Sequence, residues 1–179
     1  FLVVTPSGRS KNPGFQAWQE FELDHFRNRW KALMRGEIRE KKDTEVSEAD
    51  LKDANLILWG DEDSNSVIRK VASALPIKRQ GDQWGIGDDK YEASKHALAM
   101  VHPNPLISRY LNSYIVLNSG LTFREAHDRT NSLQNPKLPD WAIIDITQNP
   151  DASSPGKVVN AGFFDEEWKL KPPPAEATK

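Results

Sequence analysis

Apolar and polar residues follow two different rhythms along this chain. Amphipathic stretches, with apolar residues three and four positions apart, predict helices at about 14–35, 47–54, 67–75 and 123–133. Between them, short apolar runs predict strands at 1–5, 56–59, 97–101, 114–117, 141–146 and 158–163. Because strands and helices alternate, we predict an α/β fold: a three-layer sandwich around a mostly parallel sheet of the flavodoxin-like or Rossmann-like kind.

Local signals refine this pattern. The first helix carries an aromatic stripe and is predicted to end at Gly36, because glycine tolerates the left-handed turn that closes many helices. Ser47 and Asp50 have the side chains of a capping box for the second helix, and Ser64 or Asn65 can cap the third. The charged segment 37–42 is typical of an edge strand.

The segment 77–95 changes the rhythm, since it is rich in Gly, Asp and Lys. It predicts a small β-hairpin excursion rather than a helix. We predict one α/β domain over residues 1–170 and a proline-rich tail or linker over 171–179. The chain begins with an apolar, strand-like run and no methionine, so we expect it to be part of a longer protein.

Composition excludes several classes of function. The formal net charge of −2 gives no long-range attraction for nucleic acid or anionic lipid. No stretch approaches the roughly 20 apolar residues of a membrane helix, so we expect no membrane insertion. The absence of cysteine excludes disulfides and thiolate metal sites. Without a G-x-G-x-x-G or Walker motif, we expect no cofactor, and we predict no resident metal. The sequence does not indicate an oligomeric state.

Polar loops follow three of the predicted strands. Ligands usually bind beyond the carboxyl ends of parallel strands, and the loops 5–10, 60–66 and 118–122 occupy such positions. A histidine at the end of another strand adds a group that titrates near neutral pH. The candidate ligand-binding residues are therefore Asp61, Asp63, Ser64, Asn65, His102, Asn104, Asn118 and Ser119.

Two of these loops have competing interpretations. The acidic run 61–63 leads into a predicted helix, so its carboxylates either complement the helix dipole or bind a hard divalent cation. Ser119 lies between a strand and a helix like a nucleophile elbow, but Leu117 and Leu121 replace the two glycines of Gly-x-Ser-x-Gly. We therefore assign no catalytic residue.

A set of motifs makes nearly the whole chain, from Phe1 to about Trp168, resemble a known kind of region. The motifs lie at 58–65, 102–105, 114–120, 135–141 and 161–165. Together they resemble a C-terminal region of large exported bacterial proteins of planctomycete type, which are similar to the prolyl-oligopeptidase family of serine peptidases and esterases.

The resemblance implies a cellular location and a larger polypeptide, but it assigns no reaction to this chain. It implies a secreted or periplasmic hydrolase whose nucleophile lies in an upstream domain of the same polypeptide, which would be the partner of this chain. The first hypothesis is thus a non-catalytic accessory domain. The second is a domain that binds a small ligand or divalent cation at the strand-end loops, and the third is a serine hydrolase that uses Ser119 with His102 or His127.

Overall fold

Seven strands of this chain form one mixed sheet. The structure is a computed structural model that describes residues 1–107, 113–121, 124–128 and 138–171. Within them, the helices are α1 (Pro13–Met34), α2 (Glu48–Asp53) and α3 (Ser66–Val71). The strands are β1 (Leu2–Thr5), β2 (Glu40–Lys42), β3 (Leu56–Leu58), β4 (Lys78–Gln80), β5 (Gln83–Ile86), β6 (Asp89–Glu92), β7 (His96–Pro103), β8 (Tyr114–Leu117), β9 (Trp141–Asp145) and β10 (Lys157–Gly162).

The strand order of the large sheet is β10-β9-β7-β8-β3-β1-β2. Strands β2, β1, β3 and β8 are parallel to one another. Strand β7 runs antiparallel to both of its neighbours, β8 and β9, and β10 is antiparallel to β9. The prediction of a mostly parallel, flavodoxin-like or Rossmann-like sandwich is therefore wrong. Half of the sheet is antiparallel, and the described chain is mostly sheet with one long helix and two short ones.

Both faces of the large sheet are covered, which explains its unbroken apolar runs. Successive side chains of a strand point to opposite faces. Leu2 and Val4 pack with α3 and with residues of the small sheet, β4-β5-β6. Val3 packs instead with Leu23 and Phe26 of α1. The first strand is thus buried on both sides, as its composition predicts.

Most of the predicted elements are confirmed. Strands β1, β3, β7, β8, β9 and β10 lie where apolar runs predict them, and β2 is the polar edge strand. Ser47 caps α2 and forms the capping box with Asp50. Asn65, rather than Ser64, caps α3. The excursion at 77–95 folds as the three-stranded antiparallel sheet β4-β5-β6.

Two local predictions differ from the structure. The left-handed residue that closes α1 is Arg35, with φ of 56°, one position before Gly36. The helix predicted over 123–133 is, in its described part, a single 3₁₀ turn at Glu125–His127; residue 123 and residues 129–133 lie outside the described residues. The tail at 172–179 also lies outside them.

A prediction follows from the close approach of Gly156 to the end of β9. Gly156 has φ of +133°, and a Cβ atom there would lie 2.5 Å from the carbonyl oxygen of Asp145. We expect Gly156→Ala to lower the free energy of unfolding by about 2–4 kcal/mol, because strain and steric overlap add together. Urea denaturation measures this loss. Gly85→Ala is the matched control, since its Cβ would meet no atom within 4 Å; equal losses in both variants would contradict the prediction.

Candidate functional site

The four parallel strands end at the same edge of the sheet, which we call the carboxyl edge. The loops that begin after Thr5, Lys42, Leu58 and Leu117 lie along it. The structure brings six of the eight predicted site residues to this edge. They are Asp61, Asp63, Ser64, Asn65, Asn118 and Ser119.

The other two predicted site residues lie at the opposite edge of the sheet, where the parallel strands begin. Strand β7 is antiparallel to β8, so that His102 pairs with Ile115 near the start of β8. Ser119 lies four residues further along, which is roughly 13 Å at 3.3 Å per residue. Asn104 donates its side-chain amide to the carbonyl of Leu51, also away from the carboxyl edge. The geometry therefore does not pair His102 with Ser119.

Asn118 joins two strand ends through both halves of its side-chain amide. Its Oδ1 accepts from the backbone N–H of Gly60 at 2.9 Å, and its Nδ2 donates to the carbonyl of the same glycine at 2.9 Å. Its own backbone is left-handed, with φ of 47°, a conformation that asparagine adopts more readily than most residues. The side chain is thus committed to the link between β3 and β8.

Asn65 makes a second link of this kind. Its Oδ1 accepts from the N–H groups of Val67 and Ile68 at the start of α3. Its Nδ2 donates to the carbonyl of Trp59 at 2.9 Å, just after β3. Asn65 is fully buried, so each of these bonds replaces a contact that water would otherwise make.

The acidic loop after β3 is occupied by contacts within the chain. Asp61 accepts from the hydroxyl and backbone N–H of Ser64 and from the hydroxyl of Ser10. Asp63 lies 2.7 Å from the ammonium of Lys11 and 3.9 Å from the guanidinium of Arg79. Within the described parts of the chain, no cluster of three or more His, Cys, Asp or Glu side chains could hold a metal ion.

Asp43 is a carboxyl-edge residue that the sequence analysis missed. It is buried directly after β2 and accepts from the backbone N–H of Ser7 at 2.6 Å and of Ser66 at 2.7 Å. Burial alone would raise the pKa of Asp43, but the hydrogen bonds from Ser66 and Ser7 outweigh it and lower the pKa. Its position after a parallel strand is the sequence signal that could have identified it.

His102 belongs to an aromatic cluster at the other edge. Its ring makes edge contacts with Phe164 and Trp168, both with centroids 5.9 Å away. Burial lowers the pKa of His102, although hydrogen bonds with the backbone of Pro103 and Trp168 act in the opposite direction. A neutral imidazole in such a setting packs as an aromatic ring.

Ser119 lines a cavity of about 270 Å³ beside the carboxyl edge. His127 lines the same cavity, and its wall contains a buried ion pair between Glu22 and Arg124, at 2.8 and 2.9 Å. Among the described residues, no hydrogen bond joins Ser119 to His127. The cavity therefore places serine and histidine in one space without the contact that a nucleophile and its base require.

Helix α1 contacts the segment 124–128 through three polar or charged pairs. They are Glu22 with Arg124, His25 with Glu125, and Arg29 with Asp128. The three helix residues are spaced so that they share one side of α1. Only the pair of Glu22 with Arg124 is buried on both sides, and breaking such a pair is strongly destabilising because one charge is left without a partner.

Comparison of the chain with protein-family models, curated proteins and solved structures gives no match. In the part of the chain that the structure describes, no helix has the length and apolar character needed to cross a membrane.

The two links of Asn118 generate a prediction. We expect Asn118→Ala to lower the free energy of unfolding by about 2–4 kcal/mol, because two buried backbone groups of Gly60 lose their partners. Ser119→Ala, one residue away, should change it by less than about 0.5 kcal/mol. Urea denaturation of both variants measures the difference. A small effect of Asn118→Ala would show that the amide bridge contributes little.

The lowered pKa of Asp43 generates a pH-dependent prediction. A lowered carboxyl pKa stabilises the fold fully above the unfolded value of about 3.9 and loses this effect as the pH falls through the lower folded value. We expect Asp43→Asn to cost about 1–3 kcal/mol at pH 7, since one N–H loses its acceptor. Denaturation series from pH 7 to 2 should show wild type and variant converging below about pH 4. Asp53→Asn, an exposed control, should match wild type throughout; a constant Asp43→Asn gap at all pH values would contradict the prediction.

Proposed function

We propose that this chain is a non-catalytic accessory domain of a larger exported hydrolase and packs against the hydrolase domain of the same polypeptide. The observation that supports this proposal most directly is an apolar, unpaired sheet edge at β10. The secreted or periplasmic location is part of the same proposal and rests on the resemblance of the motifs.

Among the described strands, β10 lies at one end of the large sheet and pairs only with β9. No described strand pairs with its outer side, so these backbone groups are available to another chain. Val158, Val159 and, directly after the strand, Phe163 are exposed by 42%, 38% and 60%. Clustered exposed apolar side chains are typical of surfaces that a partner covers.

The edge strand at the other end of the strand order, β2, has the charged side chains that are typical of a solvent-exposed sheet edge. Strand β2 consists of Glu40, Lys41 and Lys42, and charged side chains discourage edge-to-edge pairing. Strand β10 has one charged residue, Lys157, at its start. The contrast between the two edges favours β10 as the side that meets the hydrolase domain.

The other two hypotheses have less geometric support. A ligand at the strand-end loops would compete with hydrogen bonds that Asp61, Asn65 and Asn118 already make within the chain. A hydrolase that uses Ser119 predicts ester or peptide turnover by the chain alone, abolished by Ser119→Ala. Of its two candidate bases, His127 lines the same cavity as Ser119, whereas His102 lies at the other edge.

The accessory-domain proposal makes a prediction about two surface residues. In the longer polypeptide, V159K together with F163E should destabilise the complete protein by roughly 2–3 kcal/mol, because two apolar side chains lose a covering surface. The same variant of the isolated chain should unfold like wild type. Thermal unfolding and hydrogen exchange of residues 157–163 in both forms measure this.

Met34→Glu is the matched control, since Met34 is another exposed apolar residue, 49% exposed, at the end of α1. It should leave both forms unchanged. Equal hydrogen exchange of β10 in the isolated chain and the longer polypeptide would contradict the proposal. So would a V159K/F163E effect of the same size in both forms.

A further inference from the structure

A second concave surface lies between α1 and the edge strand β2, away from β10; the loop 5–10 contributes to its lining, but none of the eight predicted site residues does. It is a cleft of about 490 Å³ that opens at the carboxyl ends of β1 and β2, and we call it the α1–β2 cleft. Its volume is within the range that binds small molecules. The basic residues of its lining are Arg9, Arg27, Lys41 and Lys42, and the acidic ones are Glu20, Glu40 and Glu45, so positive charges exceed negative charges by one.

Gln19 is the unusual member of this cleft. It lies on the buried side of α1 and is 1% exposed, yet it lines the cleft. Its Oε1 atom is buried without a hydrogen-bond partner. A buried acceptor without a partner destabilises a fold by about 1–3 kcal/mol. Because Gln19 lines the cleft, a change of its side-chain rotamer would turn this atom towards the opening, where a ligand hydroxyl or amine would supply the missing bond.

Several other polar groups of the cleft already have partners. Arg27 makes two hydrogen bonds to the carboxylate of Glu40, at 2.6 and 3.0 Å. Gln16 donates to the carboxylate of Glu20 at 2.7 Å and accepts from the backbone of Ser10. These contacts hold the walls of the cleft in place and leave the carboxylates of Glu20 and Glu40 neutralised or hydrogen-bonded. The third carboxylate of the lining, Glu45, is exposed and accepts from the backbone N–H of Lys42 at 3.1 Å.

Two cations at the rim are not neutralised in this way. Lys42 is exposed and forms no ion pair with any described residue. Arg9 is mostly exposed and lies 3.8 Å from Glu20, at the limit of an ion pair. An anion at the rim would therefore meet two positive side chains, while the buried wall presents an amide that lacks a partner.

We infer that the α1–β2 cleft binds a small anionic, hydroxylated molecule, of the size and chemistry of a sugar phosphate or sugar acid. Its anionic group contacts Arg9 and Lys42 at the rim, and one of its hydroxyl groups donates to Gln19. A molecule that has only the anionic group, or only the hydroxyl groups, would make these contacts at only one end of the cleft. The inference does not depend on the accessory-domain proposal, because the two surfaces lie at opposite edges of the sheet.

The test is a titration of the ¹⁵N-labelled chain followed by NMR. The probes are glucose 6-phosphate, glucuronate, glucose and inorganic phosphate. Saturable shifts of the Gln19 side-chain amide are expected with the two anionic sugars. Glucose lacks the charge-assisted hydrogen bonds at the rim, and inorganic phosphate lacks the buried hydrogen bond to Gln19. Each should bind at least about tenfold more weakly, because one such bond contributes about a factor of ten in affinity. Failure of both anionic sugars to saturate at about 10 mM would overturn the inference, and so would equal binding of inorganic phosphate.

Two variants separate a ligand-binding role of Gln19 from a purely structural one. Gln19→Met removes the acceptor without a partner, so its unfolding midpoint should rise by about 2–8 °C while the affinity falls about tenfold. Lys42→Gln, an exposed change, should weaken binding by a similar factor and keep the midpoint. The control Lys52→Gln, on α2, should alter neither. A lower midpoint for Gln19→Met, or unchanged affinity in either cleft variant, would overturn the inference.

Discussion

Backbone groups at the ends of buried strands need hydrogen-bond partners inside the protein, and this constraint organises the carboxyl edge. Asp43, Asn65 and Asn118 meet it with side chains that each join two or more segments. The two asparagines offer both a donor and an acceptor, which a strand end requires because its N–H and carbonyl groups both lose partners. The loops, the start of α3 and the strands β3 and β8 are held in register by these few side chains.

The element positions could be predicted because burial and helical periodicity are local properties of sequence. Strand direction could not be taken from the same signal, since a central antiparallel strand is also buried on both faces and has the same apolar run. The length of the connection did not correct this, because the predicted strands 97–101 and 114–117 leave twelve residues between them, enough for a crossover. In the structure β7 extends to Pro103, and the ten residues 104–113 that remain are too few for one.

The sequence predicted where the candidate site residues lie more readily than what their side chains bind. Strand-end loops brought most of the chosen residues together, but their side chains bond to one another, which depends on distances that spacing does not encode. The α1–β2 cleft had a different signal: Gln19 stands where helical spacing places an apolar residue, four positions after Phe15 and four before Leu23. A polar residue on an apolar stripe marks a buried group whose partner lies elsewhere.

The strand order has a consequence for synthesis of the chain. Strand β3 is bordered by β1, which precedes it, and by β8, which is made much later. The strands of the small sheet, β4, β5 and β6, lie between β3 and β8 in the sequence and are made first. Until residues 115–117 have also left the ribosome, Leu56, Ile57 and Leu58 form an apolar strand with one unpaired side. Contacts between distant residues also form slowly. The emerging chain therefore has a period in which this apolar strand is exposed to other nascent chains, and a chaperone that binds extended apolar strands would act during that period.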